Sequence, residues 1–237
     1  MTRARIAVLA SGGGSNLQAI VDHLAALGEA RHGDVVLVAS NRPDAGALAR
    51  AGRAGIANVV LRSPHAPDGQ ELGAALAAHR AQLVVLAGYM RLVPPDVTVA
   101  YRGRMLNVHP ALLPDFGGAG MYGPRVHRAV LQTGATLSGP SVHFVDEVYD
   151  HGAVIAQWPV PVLAHDDEHT LAARVLRAEH LLYPRVIDAV AAGEVRLGDD
   201  GRVVRNGIHE PRLPVMNPDL DDRTLATQLD HMLHHSS

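Results

Sequence analysis

Apolar runs and amphipathic stretches alternate along the chain, and the period of each predicts its element. Arg5–Ala10 is a β-rich run that ends in Ser11-Gly12-Gly13-Gly14-Ser15-Asn16, and from Leu17 to about Leu27 apolar residues recur at helical spacing. The same alternation repeats: strand Val35–Ser40, helix Ala45–Gly55, strand Val59–Leu61, helix Gly69–Arg80, then the most apolar strand, Leu83–Ala87, closed by Gly88. Strands that are apolar throughout and separated by helices predict a parallel sheet covered on both faces. Past Pro94-Pro95 the spacing predicts a strand Met105–Val108, a glycine-rich loop Pro114–Gly123 and a short helix Val126–Gln132. A hairpin of Ser141–Val145 with Val154–Val162 and a long helix Thr170–Ala192 follow. The tail from Arg196 is polar, with a last helix at about Thr224–His235. The fold class is therefore α/β and Rossmann-like, a mostly parallel central sheet with helices on both faces.

No internal repeat or low-complexity linker divides the chain, so the two halves are expected to share one sheet. The expected organisation is a single domain over 1–195, with a nucleotide-binding half of about 1–104 and a catalytic half of about 105–195, followed by a C-terminal extension, 196–237.

Composition narrows the chemistry. All 21 cationic residues of the 237 are arginine, which excludes Schiff-base lysine chemistry and the lysine of a Walker-type loop. The absence of cysteine removes thiol nucleophiles, thiolate metal sites and disulfides, and suits a cytoplasmic location. A formal net charge of −3 argues against a nucleic-acid surface. The apolar run behind the first two arginines is too short for a signal segment, and no later run approaches a membrane span.

Ser11–Asn16 places several N–H groups at a helix N-terminus, where the macrodipole favours an anion; this predicts a phosphate cradle without lysine. The third glycine of a dinucleotide fingerprint is missing, and Ser40-Asn41 stand where its acidic residue would be, so a nicotinamide cofactor is not expected. A tight turn capped by Ser15 or Asn16 is the purely structural alternative.

Three further segments stand out: Gly88-Tyr89-Met90-Arg91-Leu92-Val93 after the most apolar strand, Leu106-Asn107-Val108-His109-Pro110 at the next, and Ser141-Val142-His143-Phe144-Val145 ahead of Tyr149-Asp150-His151-Gly152. With the glycine loop, in this order and at these spacings, the chain resembles the phosphoribosylglycinamide formyltransferase family from about Arg5 to Ala192. The Asn-x-His-Pro and Ser-Val-His…Asp elements are shared by folate-dependent formyl transferases and hydrolases. The resemblance implies formyl transfer from 10-formyltetrahydrofolate, as co-substrate and without a metal, to the amine of glycinamide ribonucleotide. By resemblance His109 is the general acid/base, Asn107 the oxyanion donor and a folate contact, His143 a pocket residue, and Asp150 the carboxylate that raises the pKa of His109. Gly14, Ser15, Asn16 and Glu179 would hold the ribonucleotide, and Met90, Arg91, Leu92 and Val93 the folate. Each has a structural alternative: Asn107, His109 and Asp150 as turn residues, Met90 and Leu92 as core, Glu179 as a helix-surface charge.

Two departures stand out. An Arg found in some relatives before the helix near Gly69 is missing from Pro64–Gln70, with Gln70 or Arg62 as possible substitutes, and Asp115–Gly123 is longer than the usual aromatic-Pro-Gly turn. His165 and His169 stand four apart, but the residue after His165 is Asp, so capping of the next helix by Asp166 or Asp167 is preferred to a metal site. His231, His234 and His235 read as solvated tail. The rivals are a formyltetrahydrofolate hydrolase, which would carry an extra N-terminal domain where this chain starts on its first strand, and a non-catalytic phosphate-ligand sensor. The partners are small molecules, with neither nucleic acid nor membrane; the sequence leaves the oligomeric state open.

Overall fold

The first strand, β1 (Ala4–Leu9), shows how the sheet is built: Ile6 and Val8 point into the hydrophobic cluster on one face, Ala7 and Leu9 into the cluster on the other. All four are fully buried, so this strand has no polar face and must be covered twice. A computed structural model of the chain describes residues 2–63, 69–206 and 213–234.

After β1 come α1 (Ser15–Leu27), β2 (Gly33–Ser40), α2 (Gly46–Arg53), β3 (Ala57–Val60), α3 (Gln70–Ala78), β4 (Leu83–Leu86), α4 (Pro95–Ala100) and β5 (Met105–His109). These five strands are mutually parallel. The second half adds α5 (Pro124–Gln132), β6 (Leu137–Ser138), β7 (Ser141–Phe144), β8 (Val154–Gln157), β9 (Val160–Pro161), α6 (Glu168–Ala191), β10 (Val195–Leu197), β11 (Val203–Arg205) and α7 (Asp222–His234). The central sheet runs β3-β2-β1-β4-β5-β7-β8, and its last two pairings are antiparallel, so the halves do share one sheet.

The second strand expected from Val154 to Val162 is interrupted at Trp158-Pro159. Its first part pairs with β7, whereas Val160-Pro161 leaves to pair with β6 in a separate ribbon. The polar-looking tail holds the β10–β11 hairpin, and Leu213, Met216, Leu225 and Leu229 are buried in the main cluster. Arg177 of α6 fastens it, bonding the Asp222 carboxylate and the carbonyls of Pro218 and Leu220.

Candidate active site

Strand order reverses between β1 and β4, and in an open α/β sheet the crevice for a ligand lies outside the strand ends at such a point. The glycine loop leaves the end of β1, Gly88–Val93 leaves β4, and Asn107–His109 close β5. A cavity of about 540 Å³ opens there, lined by Asn16, Met90–Val93, Asn107, His109, His143, Asp150 and Glu179. Residues remote in sequence are thus brought together around one cavity.

Asn107 and His109 are two apart in β5, and the antiparallel register sets His143 of β7 directly opposite Asn107. The His143 Nδ1–H donates to the Phe144 carbonyl at 2.8 Å, which leaves Nε2 as an acceptor. Asn107 fills it with Nδ2 at 3.1 Å, and the same amide nitrogen reaches Asp150 Oδ1 at 3.4 Å. Asp150 sits in the turn before β8 with φ of 54°, and its Oδ2 accepts the Gly118 N–H at 3.0 Å. It faces His109 Nδ1 at 3.4 Å, while His109 Nε2–H donates to the Phe116 carbonyl at 2.8 Å. Nδ1 is therefore the nitrogen of His109 that can exchange a proton.

The resemblance implies that Asp150 raises the pKa of His109. Asp150 does act upward, but burial is the larger influence and the imidazole lies below its ordinary value. Periodicity cannot report that balance, because desolvation is set by the folded surroundings. For Asp150 burial is again the largest influence, acting upward. His143, the His109 charge and the Gly118 N–H together outweigh it and hold the carboxyl below its ordinary value. A charged carboxylate thus faces an imidazole kept easy to deprotonate.

Gly14 takes up φ of 76° ahead of α1, which no side chain caps. The alternative of a capped turn is therefore not realised: Ser15 makes no capping bond, and the Asn16 Nδ2 donates to Glu179 Oε2 at 2.7 Å. The Asn16 Oδ1 is buried without a partner among the described residues. Glu179 is not a surface charge but is buried, and burial pushes its carboxyl up to about 7 against the downward pull of Asn16. One turn further along α6, the buried Tyr183 hydroxyl lies 3.0 Å from the Leu86 carbonyl and 3.1 Å from that of Leu106, anchoring the helix to β4 and β5. That anchor aims Glu179 at the cavity.

On the opposite wall Met90 and Leu92 are exposed rather than core, whereas Val93 is buried. The Met90 N–H is already taken by Ser11 Oγ at 2.8 Å, so this residue offers a ligand its carbonyl and side chain. Arg91 is exposed at the rim. The long loop after β5 reaches His109 and Asp150 through Phe116 and Gly118, and Gly118–Gly123 line the cavity. Sequence reasoning missed His127, which lines the cavity, is 4% exposed and has no partner for Nδ1 among the described residues. Its signal was its place beside Val126 and Val130 on the apolar face of α5. Ser11 was missed as a linker: its hydroxyl donates to Asn41 Oδ1 at 2.6 Å while accepting from Met90.

Of the departures, residues 64–68 lie outside the described residues, and neither Arg62 nor Gln70 lines the cavity. Asp167 forms a capping box with Thr170 at the start of α6, and Asp166 pairs with Arg174 at 2.6 Å, so both carboxylates are used structurally. His231 is exposed; the side chain of His234, and His235, lie outside the described residues. Among the described residues no helix is long and apolar enough to cross a membrane.

Residues 4–187 match the model of the formyl transferase family. The chain is 43% identical over 206 residues to the chloroplastic phosphoribosylglycinamide formyltransferase of Arabidopsis thaliana, with 84% of this chain and 69% of that protein covered. It is 42% identical over 200 residues to the phosphoribosylglycinamide formyltransferase of Escherichia coli K12, covering 82% of this chain and 91% of the relative. Among solved structures, the phosphoribosylglycinamide formyltransferase of Anaplasma phagocytophilum superposes with a TM-score of 0.78 at 33% identity, over 88% of this chain and 97% of that one.

Proposed function

The chain belongs to the formyl transferase family, and from that membership and the geometry of the site we propose that it transfers the formyl group of 10-formyltetrahydrofolate to the amine of glycinamide ribonucleotide, a step of purine biosynthesis. The observation that carries this proposal is the convergence of Asn107, His109, His143 and Asp150 on a cavity that the Asn16–Glu179 pair also lines. The ribonucleotide phosphate meets the N–H groups at the start of α1, and its ribose hydroxyls meet Glu179. The folate lies along Met90–Val93 and reaches Asn107.

The amine attacks the formyl carbon, and the carbonyl oxygen becomes an oxyanion that needs donors already in place. Asn107 supplies one. Its bond to His143 is the shorter, so the N–H that makes the 3.4 Å contact with Asp150 is the one free to turn to the oxyanion. His143 acts as a positioning residue, since its fixed tautomer orients that amide. The Asp150 charge stabilises imidazolium on His109, whose Nδ1–H hydrogen-bonds the oxyanion without giving up its proton and passes that one proton to N10 of the folate as the C–N bond breaks. The attacking nitrogen gives up one proton to the Asp150–His109 pair, so the site ends as it began. The chemistry occupies residues 1–195, with the described part of the 196–237 extension packed on through Leu213, Met216, Leu225 and Leu229, and a cysteine-free chain suits the cytoplasm.

Incubation with 10-formyltetrahydrofolate, with and without glycinamide ribonucleotide, tests the proposal. Folate release that requires the ribonucleotide is expected. Release without it would make the protein a hydrolase, and no release in either case a sensor.

A further inference from the structure

The glycine loop is held in place by its carbonyl groups. The Gly12 carbonyl accepts the Ala47 N–H at 3.1 Å, and the Gly13 carbonyl accepts Arg50 Nε–H at 2.8 Å; both donors belong to α2. A planar trans peptide points its C=O and the following N–H in opposite directions. Holding the Gly12 and Gly13 carbonyls on α2 therefore turns the N–H groups of Gly13 and Gly14 away from α2. These groups, with those of Ser15 and Asn16, make no hydrogen bond among the described residues. The contact is tight: a Cβ on Gly46 would stand 3.1 Å from the Gly13 oxygen, and one on Gly14 2.7 Å from the Ala47 Cα.

The Ala47 bond is backbone and would survive most substitutions, but the Gly13 bond depends on one side chain. The Arg50 guanidinium also donates from Nη1 to Gln18 Oε1, 3.2 Å away, so one planar group ties the loop, α1 and α2 together. Among the described residues it is the one cation hydrogen-bonded to the loop, in a chain without lysine. Its Nη2 makes no hydrogen bond among those residues.

We propose that Arg50 is a positioning and specificity residue for the phosphate of the acceptor: it holds the Gly13 carbonyl out of the cradle and supplies the positive field that favours a phosphomonoester dianion. This deepens the proposed function and rests on its assignment of the loop to phosphate. Arg50 would then act on the binding of the phosphorylated acceptor and not on the formyl-transfer step, which lies at His109 and Asp150.

The test compares the wild-type protein with Arg50→Ala and Arg50→Lys. Steady-state transfer is measured with glycinamide ribonucleotide and formyl folate varied separately, and thermal stabilisation by inorganic phosphate is measured alongside. In Arg50→Ala the KM for the ribonucleotide should rise about tenfold or more, with the KM for formyl folate little changed, and stabilisation by phosphate should weaken by a similar factor. Lysine keeps the charge but not the fork, so Arg50→Lys should fall between the two. An unchanged ribonucleotide KM with unchanged phosphate stabilisation would overturn the inference, as would an equal loss in both KM values and kcat. A wild-type protein that transfers no formyl group defeats the proposed function instead, and the phosphate measurement then still decides the role of Arg50.

Discussion

Asn16 and Glu179 meet at 2.7 Å across 163 positions of sequence, joining the first turn of α1 to the middle of α6 at the wall of the cavity. The buried carboxyl titrates at about 7 against an ordinary 4.5, so the folded protein holds a proton there that the unfolded chain releases. The stability this contributes is fully present below pH 4.5 and is lost as pH rises through 7.

Glu179→Gln keeps the shape and removes the titration. It should be nearly neutral for thermal stability at pH 5 and stabilising at pH 8, by on the order of 2 kcal/mol. Melting curves at the two pH values check this. The same variant should raise the KM for the ribonucleotide about tenfold, because an amide is a poorer acceptor for ribose hydroxyls than a carboxylate. Equal melting behaviour of the two proteins at pH 8 would mean that the fold does not raise the Glu179 carboxyl.

Asp150→Asn should lower kcat by more than about tenfold while leaving the fold intact, since an amide oxygen can still accept the Gly118 N–H. Asp150 acts upward on His109, so removing its charge lets the imidazole titrate at still lower pH. The limb of the pH–rate profile that reports His109 should therefore move to lower pH. His109→Ala should lose at least as much activity and show no such limb. Wild-type turnover in either variant removes that residue from the mechanism.

Much of this site is legible in the chain because its chemistry sits at strand ends. Asn107 and His109 share one side of a strand at a spacing of two, and a glycine run between a strand and a helix predicts the free N–H groups found at the start of α1. The alternation that predicts parallel strands is clear wherever both faces are apolar, as in β1 and β4. It is silent for α4, β6 and β10–β11, which are two to six residues long and too short for a period to register. Arg50, Ser11 and His127 are illegible for another reason: their roles depend on pairings across the fold, Arg50 with Gly13, Ser11 with Met90, and His127 with the cavity wall.

His127 is neutral in the folded protein, because burial first and the nearby charge of His109 second push it down to about 4. The unfolded chain would titrate it at 6.5, so stability is present above 6.5 and lost as pH falls toward 4. Allowing for partial solvation, the loss between pH 7 and 5 is on the order of 1 kcal/mol. In urea denaturation at those two pH values, His127→Gln should show a smaller drop than the wild type. An identical drop in both proteins would assign the acid sensitivity to the other histidines whose burial lowers them, His23, His109 and His180.

Gly13 and Gly14 are neighbours with opposite demands, and a matched pair of alanine substitutions separates folding from binding at the loop. At Gly14 an added Cβ would stand 2.7 Å from the Ala47 Cα and 2.9 Å from its Cβ, on a backbone whose φ of 76° already disfavours any side chain. Neither obstacle can give easily, because the first is backbone and the second is a buried helix residue. Gly14→Ala should therefore cost on the order of 2–4 kcal/mol of stability and push α2 from the loop, weakening ribonucleotide binding as a consequence. At Gly13 a Cβ meets nothing within 4 Å, so Gly13→Ala should melt within a few degrees of the wild type. The Gly13 N–H faces the proposed phosphate position, and a methyl group beside it costs affinity only if a ligand comes close to that backbone. A raised ribonucleotide KM in Gly13→Ala at unchanged stability places the phosphate against the loop. Unchanged KM there would move the phosphate elsewhere and leave Gly14 with a purely structural role.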